Sequence, residues 1–141
     1  MKPPAKPVNP FSRSGPSVQT KSRYAVQHPV PLANRSQQIR ATLNGTRQVA
    51  GSVDIRAIGP GKGFIANLKV DQQHRRRGVG AQLVDAAIAT ARRQGMKSVS
   101  LEARPSDNGI SSQALVAMYR RQGFKSVGRS QRGNPLMERK L

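Results

Sequence analysis

The sequence predicts an α/β sandwich in which helices pack on a largely antiparallel sheet, and three observations carry that prediction. Apolar and polar residues alternate with a period of two at Ile39, Ala41 and Leu43, at Val49, Val53, Ile55 and Ala57, and at Val99, Leu101 and Ala103, as half-buried strands require. Two other stretches repeat at helical spacing, Leu83, Val84, Ala87, Ile88 and Ala91, then Ala114, Leu115, Met118 and Tyr119, and a glycine follows each, Gly95 and Gly123. The resulting order, β-β-β-α-β-α-β-β, groups strands at both ends instead of alternating strictly, which favours hairpins over an all-parallel sheet.

Residues 1–36 read as a basic arm rich in Pro, Ser and Gln. Prolines at 3, 4, 7, 10, 16, 29 and 31 deny a long helix, and nothing acidic precedes Asp54. A disordered extension is the expectation, with the folded domain over 37–141. The arm lacks the apolar run of about 7–15 residues of a secretory signal, and nothing in the chain approaches the ~20 apolar residues of a membrane span. A cytoplasmic protein without membrane contact is therefore expected, although a leader for secretion as an effector also fits this composition.

Within the domain, Asn44-Gly45 suggests that the first two strands form a hairpin closed by a type I′ turn. The run Gly59-Pro60-Gly61-Lys62-Gly63 ends the second strand, and 64–70 forms the third. After the first helix come a strand over 97–103 and a loop over 104–111 carrying Pro105 and Asn108-Gly109. Ser112 is then placed to cap the second helix. Residues 124–129 and 136–141 make a last strand pair around Gly133-Asn134-Pro135.

Composition narrows the chemistry. The 141 residues suit one domain with one modest core, and hydrophobic and aromatic contents of 35% and 4% imply that part of the chain stays outside it. The absence of cysteine excludes disulfides, thiolate catalysis and cysteine-held zinc, and with only His28 and His74 a histidine metal site is not expected. His74 reads as a solvated residue. A net charge of +19 attracts anions: cofactor phosphates, nucleic acid or an acidic partner surface.

The chemistry concentrates at 64–83, FIANLKVDQQHRRRGVGAQL: an apolar strand, a basic turn with Gly78 and Gly80, and the opening of a helix. A helix N-terminus presents unpaired N–H groups and a positive dipole end, and three arginines at 75–77 add charge, so the turn is built to hold phosphate. A dinucleotide fingerprint would need a third glycine where Leu83 stands and an acidic ribose ligand about 20 residues on. Glu102 is near that distance but lies inside the next strand, which rejects that alternative.

These residues resemble the GNAT superfamily of acetyl-CoA-dependent N-acetyltransferases. The family signature, Arg/Gln-x-x-Gly-x-Gly/Ala directly after a strand, is similar to Arg75-Arg76-Arg77-Gly78-Val79-Gly80. The stretch from Ser112 through Met118-Tyr119 to Gly123-Phe124 is similar to the family's Asn-x-x-Ala-x-x-Leu-Tyr-x-x-x-Gly-Phe, and the ending at 136–141 looks like a family terminus.

The resemblance implies a GNAT-like sandwich, a mostly antiparallel mixed sheet with helices on both faces, abbreviated at the N-terminus. It implies acetyl transfer from acetyl-CoA, a cosubstrate, to a primary amine of a protein, peptide or small molecule by direct attack in a ternary complex. The alternative is a degenerate domain that binds acetyl-CoA, or nucleic acid through the arm, without efficient turnover. By the same resemblance Leu68, Lys69 and Val70 pair with the pantetheine arm, and Arg75, Arg76, Arg77, Gly78, Val79, Gly80 and Ala81 hold the pyrophosphate. Ser112 occupies the position of the family asparagine. Tyr119 stands where many members protonate the leaving thiolate, although by spacing alone it is a core tyrosine. Leu101-Glu102-Ala103-Arg104 is similar to a strand of the ribosomal-protein alanine acetyltransferases that carries a proposed base, which gives Glu102 that role; an ion pair with a neighbouring arginine is the alternative. Because the usual first strand and two helices have room only within 1–36, the acceptor side is either open or completed by a second protomer in a homodimer.

Overall fold

The computed structural model of the chain describes residues 23–32, 35–105 and 111–141. The first 22 residues, which make up most of the expected arm, and the Asn108-Gly109 pair lie outside the described residues. The sheet nevertheless begins inside the stretch that composition assigns to the arm. Strand β1 (Tyr24–Val26) and the two-residue β2 (Val30–Pro31) both pair antiparallel with β3 (Gln37–Leu43). Tyr24 anchors β1, since its ring is 7% exposed while its two strand neighbours face solvent.

The chain continues through β4 (Val49–Gly59) and β5 (Lys62–Val70), then helix α1 (Val79–Arg93), β6 (Ser98–Glu102), helix α2 (Ser112–Arg121), β7 (Lys125–Arg129) and β8 (Pro135–Lys140). The order across the sheet is β1-β3-β4-β5-β6-β8-β7, with β2 also on β3. Among the described residues only the β5–β6 pair is parallel; the fold class is the mixed, mostly antiparallel sheet expected from the pattern.

The turns follow residue chemistry, with one correction. Pro60-Gly61 joins Gly59 to Lys62 with Gly61 at φ 68, as a proline followed by a left-handed glycine allows. The β3–β4 connection is not the two-residue type I′ turn, which needs positive φ at both central residues. Gly45 has φ 77 but Asn44 does not join it, and the loop spans 44–48. Thr46 explains the longer path: its hydroxyl donates to the Leu43 carbonyl and accepts from the Gln48 N–H.

Both helices end in the same way. The N–H groups of Gly95 and Met96 reach back to Arg92 and Ala91, and those of Gly123 and Phe124 to Arg120 and Tyr119, with both glycines left-handed. These are two Schellman endings, and in the second the apolar contact that closes the motif joins Tyr119 and Phe124, whose ring centroids lie 6.0 Å apart.

Helices on both faces are not seen among the described residues. Val53, Ile55, Ile65, Leu101 and Met137 share one face through their pairings, and α1 packs on it through Val79 and Leu83, which stand against Gly51. Helix α2 lies on the same side, because Gln122 at its end reaches Ala81 and Asp85 of α1 and Gly123 stands against Arg139, which pairs with Val99. The opposite face carries Asp54, Arg56, Phe64, Ser100, Glu102 and Glu138, and among the described residues no helix covers it. The buried core therefore lies in a single layer between the sheet and the two helices.

Candidate active site

The site is created where the central strands part. Strand β5 pairs with β6 over only four residues, from Lys62↔Ser98 to Ile65↔Leu101, yet it runs on to Val70. A bulge directs the separation. The register with β4 shifts between Ser52↔Lys69 and Asp54↔Ala66, which sets Asn67 and Leu68 against the single residue Val53. Asn67 takes φ 55, and its amide donates to Asp54 Oδ2 at 2.8 Å, which holds that left-handed conformation. Among the described residues the backbone of 66–70 thus has no strand partner on the β6 side, leaving an edge that an extended ligand can pair with.

At the end of that edge stands the basic turn. The Asp71 N–H donates to the Ala50 carbonyl at 2.8 Å, a short 3-10 turn (Gln72–His74) follows, and Arg75 Nε donates to the Val70 carbonyl at 3.0 Å. Arg76 at φ 62 and Gly78 at φ 81 swing the chain into α1, whose N-cap, Gly78, makes no side-chain capping bond. The first N–H groups of the helix have no intrahelical acceptor, and this end of α1 stands beside the freed edge, Gly80 lying against Leu68 and Val70. His74, expected to be solvated, is instead buried: Nδ1 meets the Tyr24 hydroxyl at 2.9 Å, and Nε2 the Gln48 amide at 3.3 Å.

One groove of about 1080 Å³ joins these parts. Leu68, Lys69, Val70, Arg75, Arg76, Gly78, Val79, Gly80 and Ala81 line it, as do Tyr119 and Glu102, so most of the candidate positions converge. Arg77 and Ser112 do not. Ser112 is the first residue of α2 and faces a separate depression beside β7; the helix is capped by Ser111, whose Oγ accepts from the Ala114 N–H at 3.1 Å. Because serine is followed by serine, sequence could not decide which of the two caps.

Tyr119 is 5% exposed and lies on the helix side of the groove. Burial pushes its hydroxyl up to about 12, so it stays protonated across the physiological range. That hydroxyl has no hydrogen-bond partner among the described residues. Glu102 points to the opposite, open side, since Leu101 beside it faces the helices. Its Oε2 accepts from Ser130 Oγ at 2.6 Å and from Asn134 Nδ2 at 2.9 Å. These two bonds, the serine's first, hold its carboxyl below the usual glutamate value; burial opposes them with a smaller effect, and Arg104 and Arg132 lower it by less again.

Sequence reasoning missed three residues here. Gln122 ties α2 to α1 through Ala81 and Asp85, and its place directly before Gly123 was the available signal. Arg104 and Arg121 add charge to the groove walls, but their side-chain directions could not be read from spacing.

The sequence matches the model of the acetyltransferase (GNAT) family over residues 11–124. The chain belongs to this family. Among solved structures it is similar to a GNAT family acetyltransferase from Elizabethkingia anophelis with acetyl-CoA bound, with a TM-score of 0.69, 16% identity and coverage of 86% of this chain and 100% of that one. An IAA acetyltransferase from Bacillus cereus gives a TM-score of 0.68 at 16% identity, covering 84% and 99%. The ribosomal-protein alanine N-acetyltransferase from Escherichia coli gives 0.61 at 21% identity, covering 78% and 72%. At such identities the likeness is one of fold. No curated protein matches the chain. Relative to the family pattern, β1 is retained as a three-residue strand, and among the described residues no helix lies between β1 and β3.

Proposed function

We propose that this GNAT protein transfers the acetyl group of acetyl-CoA to a primary amine of a protein, peptide or small molecule by direct attack in a ternary complex. The observation that carries the reading is the freed edge of β5 ending beside the N-terminus of α1, which has no side-chain cap. One groove thereby offers backbone hydrogen bonds for an amide-bearing arm and N–H groups for a pyrophosphate. Lys69, Arg75 and Arg76 add the charge such a ligand needs.

Bound acetyl-CoA supplies an activated thioester. In this reading Leu68, Lys69 and Val70 orient its arm, while the turn at 75–81 holds the phosphates. Tyr119 sets its hydroxyl toward the leaving sulfur and donates a hydrogen bond to the charge that develops there, and the released thiolate takes its proton from water. Glu102, on the open side of the parted strands, takes through water the proton that the amine loses. The two groups thus serve opposite ends of the transfer from opposite faces of the sheet.

A second reading is favoured by one observation, the lowered basicity of Glu102. A carboxylate held by two donors is a weaker base, which suits a domain that binds acetyl-CoA without efficient turnover. Thiol release from acetyl-CoA, followed with a panel of diamines, amino acids and basic peptides, separates the two readings. Amine-dependent release above the hydrolytic background supports the enzyme; acetyl-CoA binding without release with every acceptor supports the binder.

A further inference from the structure

We infer that His74 is a positioning residue for the acetyl-CoA site, locking the phosphate turn onto β1 so that the N-terminal strand sets cofactor affinity. The inference rests on the reading that acetyl-CoA occupies this turn. Of residues 71–78, which connect β5 to α1, only His74 is buried. The connection includes a left-handed arginine, Arg76, and a left-handed glycine, Gly78, a shape that persists only when its surroundings hold it. Asp71 and Arg75 hold its first part through the Ala50 and Val70 carbonyls, and the ring of His74 adds the hold by a buried side chain. Both nitrogens are engaged, one with the Tyr24 hydroxyl at 2.9 Å and the other with Gln48 at 3.3 Å, and the Tyr24 ring meets it edge-on at 5.4 Å.

The partners come from two separate places. Tyr24 lies on β1, and Gln48 directly precedes β4, so His74 ties the turn to the sheet at two points that do not otherwise touch the cofactor groove. With both nitrogens committed and 7% exposure, His74 is not placed to exchange protons with an acceptor. Its effect is geometric. The N–H groups of 79–81 must meet the phosphate oxygens together, and a displacement of about 1 Å in such a cradle is costly.

The test is calorimetry with acetyl-CoA on the full chain, comparing wild type with Tyr24→Phe, His74→Ala, His74→Asn and Gly80→Glu. Tyr24→Phe keeps the ring and removes the hydrogen bond to His74, so Kd should rise roughly 3- to 10-fold. His74→Ala removes both bonds and should raise Kd about 10-fold or more, whereas His74→Asn, whose amide replaces Nδ1, should stay within about 3-fold of wild type. The rise should appear in KM for acetyl-CoA, with kcat at saturation unchanged, because neither Tyr119 nor Glu102 is touched. Unchanged Kd in Tyr24→Phe and His74→Ala, while wild type binds and Gly80→Glu does not, overturns the inference and leaves His74 as a core residue. If His74→Ala does not fold, Tyr24→Phe decides alone. Failure of the wild type to bind acetyl-CoA would refute the cofactor reading itself, and this inference with it.

Discussion

Substituting Gly80 with alanine separates what the fold needs from what the cofactor needs. Gly80 sits in the first turn of α1 outside the left-handed region, and a Cβ built on it would lie 3.7 Å from Val70 Cγ2 and 3.8 Å from Leu68 Cδ2, ordinary contact distances. The free protein has no steric or conformational use for a glycine there. Alanine is the better helix former by roughly 0.5–1 kcal/mol, so Gly80→Ala should raise the melting temperature by about 2–5 °C. The same methyl would stand where the phosphate must approach the backbone. Losing one charge-assisted hydrogen bond costs about 1.5–3 kcal/mol, which lowers acetyl-CoA affinity roughly 10- to 100-fold. Gly78→Ala should behave in the opposite sense: no atom lies within 4 Å of its Cβ, but φ is 81, so left-handed strain of about 1–2 kcal/mol lowers stability. Differential scanning fluorimetry without ligand and calorimetry with acetyl-CoA measure both quantities. A Gly80→Ala protein that melts higher and binds acetyl-CoA as tightly as wild type would refute a close backbone approach at this position.

Three further outcomes are expected. Tyr119→Phe should lower kcat roughly 10²-fold while leaving the melting temperature and acetyl-CoA affinity nearly unchanged, since the hydroxyl has no partner among the described residues to leave unsatisfied; wild-type turnover would assign Tyr119 to the core. If Glu102 is the base, the acid-side limb of kcat/KM lies below the usual glutamate value of 4.5, and Ser130→Ala, which removes the main bond favouring the carboxylate, should move it to higher pH. A limb that stays in place belongs to the acceptor amine. Removal of residues 1–36 should lower the urea midpoint, because it deletes β1 with the Tyr24 ring, and loss of a buried aromatic costs about 3–5 kcal/mol; an unchanged midpoint would show that β1 adds nothing to stability.

The longer elements were legible because each repeats its pattern over several residues. Strands β3 and β4, helix α1 and the glycine endings of both helices stand where periodicity and Gly95 and Gly123 place them. Strand β1 was hidden because it commits a single residue, Tyr24, to the core, and one inward side chain has no period. The separation of β5 from β6 depends on Asn67, whose left-handed conformation is fixed by a carboxylate thirteen positions away on another strand. Burial of His74 likewise arises from Tyr24, fifty residues earlier. The glycine and arginine motif could be read from sequence because its spacing lies within one turn, and most of its residues line one groove. Which face Glu102 uses, and which serine caps α2, were settled only by pairing between strands and by loop geometry.

The placement of Tyr119 and Glu102 also limits how the proposed reaction can run. Tyr119 reaches the groove from the helix side and Glu102 from the open side, so an acceptor that meets Glu102 must arrive across the face where, among the described residues, no helix packs. On the other side, a hydroxyl pushed up to about 12 is a poor match for a thiolate whose ordinary pKa is about 8.5, and complete proton transfer would be uphill by several kcal/mol. Its main contribution is then a hydrogen bond that strengthens as charge develops on sulfur, a bond made in a buried setting where it costs no reorganisation. Such a donor gives a pH–rate profile with no alkaline fall from Tyr119 below about pH 10, because the hydroxyl is still protonated there. A fall near neutrality that disappears in Tyr119→Phe would contradict both the raised pKa and this account of the hydroxyl.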